Sequence, residues 1–471
     1  MQSKDHGLKR ELKLRDLTLM QVVLIFSLGW VGFAAKQGST HLVLWLIAIG
    51  AFYLPLAAVV MKLSRTIPEE GGVYQWAKQG LSPFAGYIAG WGVTIYAVLA
   101  FSASGAATAN SLAWAAGPRG GWMTTSKPLA LGLEALVCLA AYYVNVRGLH
   151  LAKWLTSGTS LLWFGISAIL AYLIGRAWIG GMPLARESLS FHWPELSLAT
   201  VAVLARMCLG ALSGFESSAV FAEECRKPEN DVARSVAIAA PFIALMYILG
   251  TASLLAYTPA SQIDVAAAVP QVINAGFGST ELGRLLTMFV VGTVTIAVIT
   301  GEIIYIGMVA RLPMVAGWDG LLPAWWSELD LHFRTPKKAI GAVVLTMMAV
   351  SIFSLSGGGN QEAYDLATSA GLVSTSIMYM LLFATALFGF RSIPEPPGIG
   401  LRLGALAAFV VVFVSAVFEI VPLSDVTSRG VYAAKVIVLT GAANGLGAYL
   451  YWRGSRCMKA LPEASAVKIA R

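Results

Sequence analysis

The sequence predicts an all-α polytopic membrane protein with twelve transmembrane helices. Of its 471 residues, 57% are hydrophobic and only 12% are Asp, Glu, Lys or Arg. Soluble domains carry about 25% charged residues, so this chain has too little polar surface to face water. Twelve windows of about 20 largely apolar residues, the length that crosses a bilayer, run along the chain. Membrane lipid is therefore the expected surrounding of most of the chain.

The twelve predicted spans follow one another without a large soluble insertion. They cover residues 17–35, 41–63, 82–112, 128–147, 152–178, 197–224, 232–258, 281–310, 338–356, 362–390, 402–421 and 431–453. We expect a single membrane domain with little room for a soluble catalytic head.

The basic residues are distributed unevenly between the two sides of the predicted membrane. With the N-terminus inside, 24 of the 33 Lys and Arg residues lie on that side, eight lie on the other side, and Arg206 lies within an apolar run. An excess of Lys and Arg marks cytoplasmic loops. We expect a multi-pass protein of the plasma or inner cell membrane with both termini cytoplasmic. The net charge of +8 then reflects topology, and no nucleic-acid partner is expected.

Spans 1 and 6 carry glycine and small polar residues near their middles, so we predict a break in each. The residues concerned are Ser27, Leu28, Gly29, Gly32, Ser213 and Gly214. Lipid cannot satisfy the backbone groups that a break frees, so breaks occur where they line a cavity or pack against protein. In transporters with two inverted five-helix repeats, such half-helix ends bind a charged substrate at the midplane. Simple packing by small residues is the alternative.

Four short segments resemble motifs of the amino acid/polyamine/organocation (APC) permeases. They are PEEGGVYQW at 68–76, NVRG at 145–148, GFE at 214–216 followed by Glu224 and Pro228, and Arg311 followed by DGLLP at 319–323. The resemblance covers most of the first ten spans. It implies a leucine-transporter-like fold, built from two inverted five-helix repeats plus two C-terminal helices, that moves amino acids or related amines by alternating access.

This resemblance divides the chain into five parts. They are a cytoplasmic tail (1–16), a first repeat of spans 1–5 (17–178), a second repeat of spans 6–10 (197–390), spans 11 and 12 (402–453) and a second cytoplasmic tail (454–471). The family's carboxylate-binding G-x-G pair is matched most nearly by Ser27 to Gly29 or by Gly29 to Gly32. We expect the backbone at Ser27, Leu28 and Gly29 to meet a substrate carboxylate.

Carbonyls near Ser213 and Gly214 are expected to meet the substrate ammonium. Several proton-coupled members of the family have a lysine midway along span 5, where this chain has Trp163. A lysine-based coupling mechanism is therefore not expected.

Carboxylates inside apolar spans are functional candidates because an unpaired charge is costly in the bilayer. Glu216 follows the break in span 6 and matches a glutamate proposed as proton-sensitive in arginine/agmatine-type exchangers. Burial would favour its neutral form, so proton binding could bias the conformational equilibrium. The alternative is a protonated Glu216 that only hydrogen-bonds a neighbouring helix.

Glu302 in span 8 is the second candidate for proton coupling or for an amine contact. A structural pair with Arg206 is its alternative role. Glu134 and Glu419 lie near span ends and are expected to be solvated. Trp30 and Phe215 flank the two breaks and are predicted gate residues, and Tyr305 is predicted to face the same cavity. Most other aromatic residues of the spans, including Tyr96, Tyr247 and Tyr379, are expected in the core or at the membrane interfaces.

The function that fits these features is secondary active transport of amino acids, with a proton as the coupling ion. Exchange of an amino acid for an amine or polyamine is an alternative, as is a non-transporting sensor on a permease scaffold. The five histidines lie in tails, loops or span ends, and neither HExxH nor GxSxG occurs, so no enzyme is expected. Four scattered cysteines without CxxC spacing predict neither a disulfide nor a zinc site, and we expect no metal or cofactor.

Overall fold

A computed structural model describes residues 8–102, 104–264, 268–278, 280–356, 360–389, 396–420 and 428–460. Residues 1–7 and 461–471 of the predicted tails, and residue 390 at the end of the predicted second repeat, lie outside this range. The first half of the described chain forms α1 (Leu14–Ile25), α2 (Leu28–Ala35), α3 (His41–Ala48), α4 (Leu54–Thr66), α5 (Val73–Gly80), α6 (Pro83–Phe101), α7 (Ser104–Ala116), α8 (Gly121–Thr125), α9 (Lys127–Val146) and α10 (Leu149–Ile179).

The second half is helical in the same way. It forms α11 (Pro183–Ser188), α12 (Leu198–Arg206), α13 (Pro228–Tyr257), α14 (Ala268–Phe277), α15 (Glu281–Trp318), α16 (Lys337–Ser356), α17 (Asn360–Phe388), α18 (Ile399–Glu419) and α19 (Arg429–Ala460). Short 3-10 helices lie at Gly38–Thr40, Gly117–Gly120, Phe215–Glu224, Ala260–Gln262 and Ala324–Trp326, and π-helical turns at Ile49–Tyr53 and Met207–Ala211.

The predicted all-α membrane architecture is confirmed, whereas the predicted count of twelve spans is not. Among the described residues, ten helical segments are long and apolar enough to cross a bilayer, and the bent pair α1 and α2 makes an eleventh. The predicted ninth span, 338–356, corresponds to the 20-residue helix α16.

The predicted break in span 1 lies at Phe26 and Ser27. Both residues are extended, with φ/ψ of −78°/128° and −145°/134°. Helices α1 and α2 therefore meet at an angle of 45° instead of continuing as one rod. The backbone groups that the break frees lie in the protein interior, because lipid could not satisfy their hydrogen bonds.

The predicted break in span 6 lies at residues 212–214. The α-helix ends at Arg206, widens into the π-helical turn Met207–Ala211, and resumes as the 3-10 helix Phe215–Glu224. Gly214 has φ +125°, a conformation that residues with a side chain rarely adopt. A Cβ added there would lie 3.0 Å from Cγ1 of Ile25, so this glycine also lets the two breaks approach each other.

Helix α13 packs against both broken spans and holds the centre of the bundle together. It contacts α1, α4, α10 and the 3-10 helix that follows the second break. Its residue Tyr247 is completely buried. We call the end of the bundle at which α1 begins the tail end; there the backbone N–H of Leu12 donates to the carbonyl of Glu224 (3.0 Å), so the N-terminal segment is joined to the end of span 6.

Candidate functional site

A cavity of about 280 Å³ lies at the break between α1 and α2. The predicted carboxylate-binding residues Ser27, Leu28 and Gly29 line it. Other parts of its wall come from α6, α10, the π-helical turn before the second break, and one face of α15. The structure thus brings three of the six predicted substrate-binding residues to one cavity.

The N-terminus of α2 opens into this cavity without a side-chain cap. Ser27 is the N-cap residue, and its hydroxyl accepts no hydrogen bond from the helix. The first N–H groups of an α-helix have no partner within the helix, and they carry a partial positive charge. This end of α2 therefore offers donors suited to a carboxylate.

The other three predicted substrate-binding residues do not line the cavity. Gly32 is buried within α2. Gly214 packs against Ile25, and neither it nor Ser213 is part of the cavity wall, where span 6 is represented by Gly210. In this conformation the second break is closed against α1, so its carbonyls meet protein groups.

Two of the three predicted gate residues lie on the cavity wall. Trp30 covers Gly210 so closely that a Cβ added to the glycine would lie 2.0 Å from Cζ2 of the indole. Tyr305 packs on Phe101 with ring centroids 4.4 Å apart, and both residues line the cavity. Phe215 is instead fully buried against Tyr53, 4.8 Å between ring centroids, away from the wall.

Glu216 is buried beside span 10 and does not reach the cavity wall. The hydroxyl of Tyr379 on α17 donates to its Oε1 at 2.8 Å. The other oxygen, Oε2, has no hydrogen-bond partner among the described residues. Tyr305, in contrast, does line the cavity.

Glu302 lies in a buried cluster with Glu134 and Cys138. The Sγ atom of Cys138 is 3.5 Å from Oε1 of Glu302 and 3.8 Å from Oε1 of Glu134. The backbone N–H of Gly105, at the start of α7, donates to Oε2 of Glu134 at 2.6 Å. The ligand atoms of the three residues lie within 4.8 Å of one another. Among the described residues, this cluster of one thiol and two carboxyl groups is the arrangement that could hold a cation.

One expectation about charged residues in the spans is wrong, and one alternative that the sequence left open is not found. Glu134 and Glu419 are not solvated but buried, with 1% and 2% of their surface exposed, because neighbouring helices cover these span ends. Arg206 does not pair with Glu302. Its guanidinium donates to the carbonyl of Phe418 at 3.4 Å and lies near Glu419, since α12 packs on α18.

Motif residues that are far apart in the sequence meet at the tail end of the bundle. Arg311 is buried, forms an ion pair with Glu224, and has its Nε atom 3.5 Å from Oε1 of Glu70. The backbone N–H of Glu223 donates to Oε2 of Glu70 at 2.8 Å. Residues of three of the four motif segments therefore form one buried polar network at this end.

The comparison with known protein families agrees with this geometry. Residues 12–443 match the family model described as amino acid permease. The chain belongs to the amino acid permease family.

Several characterised and uncharacterised transporters resemble this permease along most of their length. An uncharacterized transporter of Legionella pneumophila is 23% identical over 83% of each chain. The L-lysine transport protein of Corynebacterium glutamicum is 24% identical over 77% of this chain and 71% of its own. The cadaverine/lysine antiporter of Escherichia coli K12 is 24% identical over 71% of this chain and 73% of its own.

The fold of this permease is the leucine-transporter-like fold that the motifs imply. The crystal structure of MhsT in complex with L-phenylalanine superimposes on 95% of this chain and 100% of that one, with a TM-score of 0.59 and 13% identity. At this identity the likeness concerns the fold alone.

Apart from Tyr305, sequence reasoning missed the face of α15 that this permease turns to the cavity. Its members follow helical spacing at Val294, Ala297, Val298, Gly301 and Tyr305. Small residues at this spacing, directly before the acidic Glu302, were the available signal. Tyr96 and Trp163 also line the cavity, whereas the aromatic residues of the spans were expected mainly in the core or at the interfaces.

Proposed function

We propose that this permease carries neutral amino acids across the membrane by alternating access, with uptake coupled to protons. The observation that carries the proposal is the cavity at the break between α1 and α2, into which the uncapped end of α2 opens. Half-helix ends at a midplane site bind charged substrate groups in transporters of this architecture. The membership of the amino acid permease family supports the same substrate class.

The amino-acid head group finds complementary backbone at the two breaks. The substrate carboxylate accepts hydrogen bonds from the N–H groups at the start of α2, and the ammonium donates hydrogen bonds to the carbonyls that the breaks free. Ser213 and Gly214 join the ammonium contacts when the second break opens toward the cavity. A cavity of about 280 Å³ lies just below the range of about 300–1,000 Å³ that serves drug-sized ligands, which fits a single amino acid.

The wall of the cavity favours an apolar or aromatic side chain on the substrate. Six aromatic residues belong to it: Phe26, Trp30, Tyr96, Phe101, Trp163 and Tyr305. No charged side chain of a described residue lines it. A lysine side chain or a polyamine would leave a charge without a partner, which is costly in a site of low dielectric constant.

Proton coupling acts through a group beside the cavity instead of through a direct contact with the substrate. Glu216 accepts a hydrogen bond from Tyr379 on α17 while its second oxygen has no partner among the described residues. Protonation turns that oxygen into a donor and changes how the second break is held against span 10. Glu302 is the second candidate, adjacent in sequence to Gly301 on the cavity wall.

Exchange of one solute for another is the second candidate function. Relatives named as a cadaverine/lysine antiporter and an L-lysine transport protein favour it. The uncharged cavity wall favours neutral amino acids over lysine, and the two functions are separable by experiment.

We further propose the plasma or inner cell membrane as the location, with both termini cytoplasmic. The Lys and Arg bias of the loops supports this orientation, and the tail end of the bundle is then the cytoplasmic end. Residues 17–178 and residues 197–390 form the two proposed inverted repeats, and each begins with a broken span.

The test is uptake of a labelled amino-acid and polyamine panel into liposomes that contain the purified protein. We expect an inward proton gradient to drive accumulation of a neutral amino acid, and Glu216→Gln to abolish accumulation. Glu195→Gln, the same change at an exposed position, is the matched control. Uptake that requires a preloaded solute would establish exchange instead. No uptake under either condition would contradict transport and favour the sensor.

A further inference from the structure

The hydroxyl of Tyr247 contacts the backbone of both breaks at once. It accepts a hydrogen bond from the N–H of Ser27 at 3.2 Å. The same oxygen lies 2.5 Å from the carbonyl of Ile25 and 3.1 Å from the carbonyl of Ala211. Ile25 is the last residue of α1 and Ala211 the last of the π-helical turn, so all three backbone groups are ones that the breaks have freed.

The ring of Tyr247 is held so that its hydroxyl cannot leave this position easily. Trp45 stacks on it with ring centroids 4.7 Å apart and an interplanar angle of 22°. The indole N–H of Trp45 donates to the hydroxyl of Thr251, which itself donates to the backbone carbonyl of Tyr247. The tyrosine is completely buried, so the surrounding packing fixes its rotamer.

The contacts of this hydroxyl have the chemistry of an amino-acid head group. A carboxylate would accept from the Ser27 N–H, as the phenolic oxygen does, and an ammonium would donate to the carbonyls, as the phenolic O–H does. One O–H can donate fully to only one of the two carbonyls at a time. The carbonyl left without this donor is free to accept from a substrate ammonium.

We propose that Tyr247 is a specificity-determining residue that sets the spacing between the carboxylate-binding and ammonium-binding breaks and so selects α-amino acids. This inference rests on the proposed transport function. Because one oxygen binds the Ser27 N–H and lies against the Ala211 carbonyl, these groups cannot separate beyond about 6 Å while both contacts last. A β-amino acid, whose two charged groups are one carbon further apart, fits this fixed spacing less well.

Tyr247→Phe tests the inference because it removes only the oxygen and keeps the ring against Trp45. Tyr257→Phe is the matched control: it lies on the same helix, and its hydroxyl donates to the carbonyl of Leu173 at 3.1 Å and accepts from Nε of Arg176 at 3.2 Å, away from both breaks. The measurement is the ratio of dissociation constants for two isomer pairs, phenylalanine with β-phenylalanine and leucine with β-leucine. A ratio from one preparation does not depend on how much of the protein is correctly folded.

We expect the wild type to prefer the α-isomers, and Tyr247→Phe to lower that preference about fivefold or more, which is the loss of one net hydrogen bond. Tyr257→Phe should keep the preference. An unchanged preference in Tyr247→Phe overturns the inference and leaves the transport function intact. Failure of the wild type to bind any amino acid would instead overturn the transport function, and with it the selection of α-amino acids.

Hydrogen–deuterium exchange without ligand tests the tie between the breaks independently of transport. In Tyr247→Phe the amide exchange of residues 25–29 and of residues 211–214 should both become faster, because both segments lose the same partner. Tyr257→Phe should leave both segments unchanged. Faster exchange in one segment only would show that the hydroxyl does not couple the breaks.

Discussion

Replacing Gly210 by alanine should disable the gate that we predict Trp30 to form over the cavity. A Cβ on Gly210 would lie 2.0 Å from Cζ2 and 2.4 Å from Cη2 of the indole, closer than real Cβ contacts. Either Trp30 leaves its position or the helices separate. Overpacking of this kind costs about 1–3 kcal/mol, so the state with the indole on Gly210 should become about 5- to 150-fold less populated.

The assay is initial uptake of labelled phenylalanine into proteoliposomes at equal protein content. Gly292→Ala is the matched control, because it makes the same change within α15 at a place where no atom lies within 4 Å of the added Cβ. We expect Gly292→Ala to transport like the wild type. Gly210→Ala should lose most of its uptake while it remains folded, as judged by size-exclusion chromatography.

A double mutant separates the clash from any other effect of the added methyl group. In a Trp30→Leu background the indole is gone, so adding Gly210→Ala should change uptake little further. If the two losses multiply instead, the methyl group acts by a route other than Trp30. Wild-type uptake in the Gly210→Ala single mutant would equally refute the gate.

Two further predictions concern stability in detergent, measured by thermal unfolding of the purified protein. Arg311→Met leaves two buried carboxylates without their cation and should destabilise the protein by about 3–5 kcal/mol. Adding Glu70→Gln removes one of these carboxylates and should recover part of the lost stability. No recovery would show that unpaired buried charge is not the cause of the loss. Ser82→Ala removes the side chain that caps α6 through the N–H of Ala85 (3.1 Å) and should cost about 1 kcal/mol; an unchanged unfolding midpoint would mean that water replaces this cap.

The spans that carry the two breaks were readable from the sequence, and in span 6 the cause is local, whereas the break in span 1 lies at Phe26 and Ser27 beside the glycines. Glycine tolerates backbone conformations that other residues avoid, and Gly214 does adopt φ +125°. Clusters of glycine and small polar residues inside an apolar run therefore identified spans 1 and 6 correctly. The count of spans was less secure: the described residues give ten such segments, or eleven with the bent pair α1 and α2, where the sequence predicts twelve.

The partners of the buried charges were not readable from the sequence. A pair with Arg206 was one of the roles that the sequence left open for Glu302, yet Glu302 lies against Cys138 and Glu134, and Arg206 lies against the end of α18. The partner of a buried charge depends on which helix faces pack against each other. Helical periodicity gives the faces of each helix separately but not their neighbours.

Composition, hydropathy, loop charge and local motifs determined the class of this protein: a helical permease with two broken spans and candidate carboxylates. These properties are sums or short-range patterns along the chain, so they can be read from the sequence without knowledge of tertiary contacts. The tertiary structure alone decided that α2 opens into an uncharged aromatic cavity, that Phe215 and Glu216 lie off its wall, and that Tyr247 joins the two breaks. Those facts depend on contacts between residues up to 222 positions apart, and only the packed bundle brings such residues together.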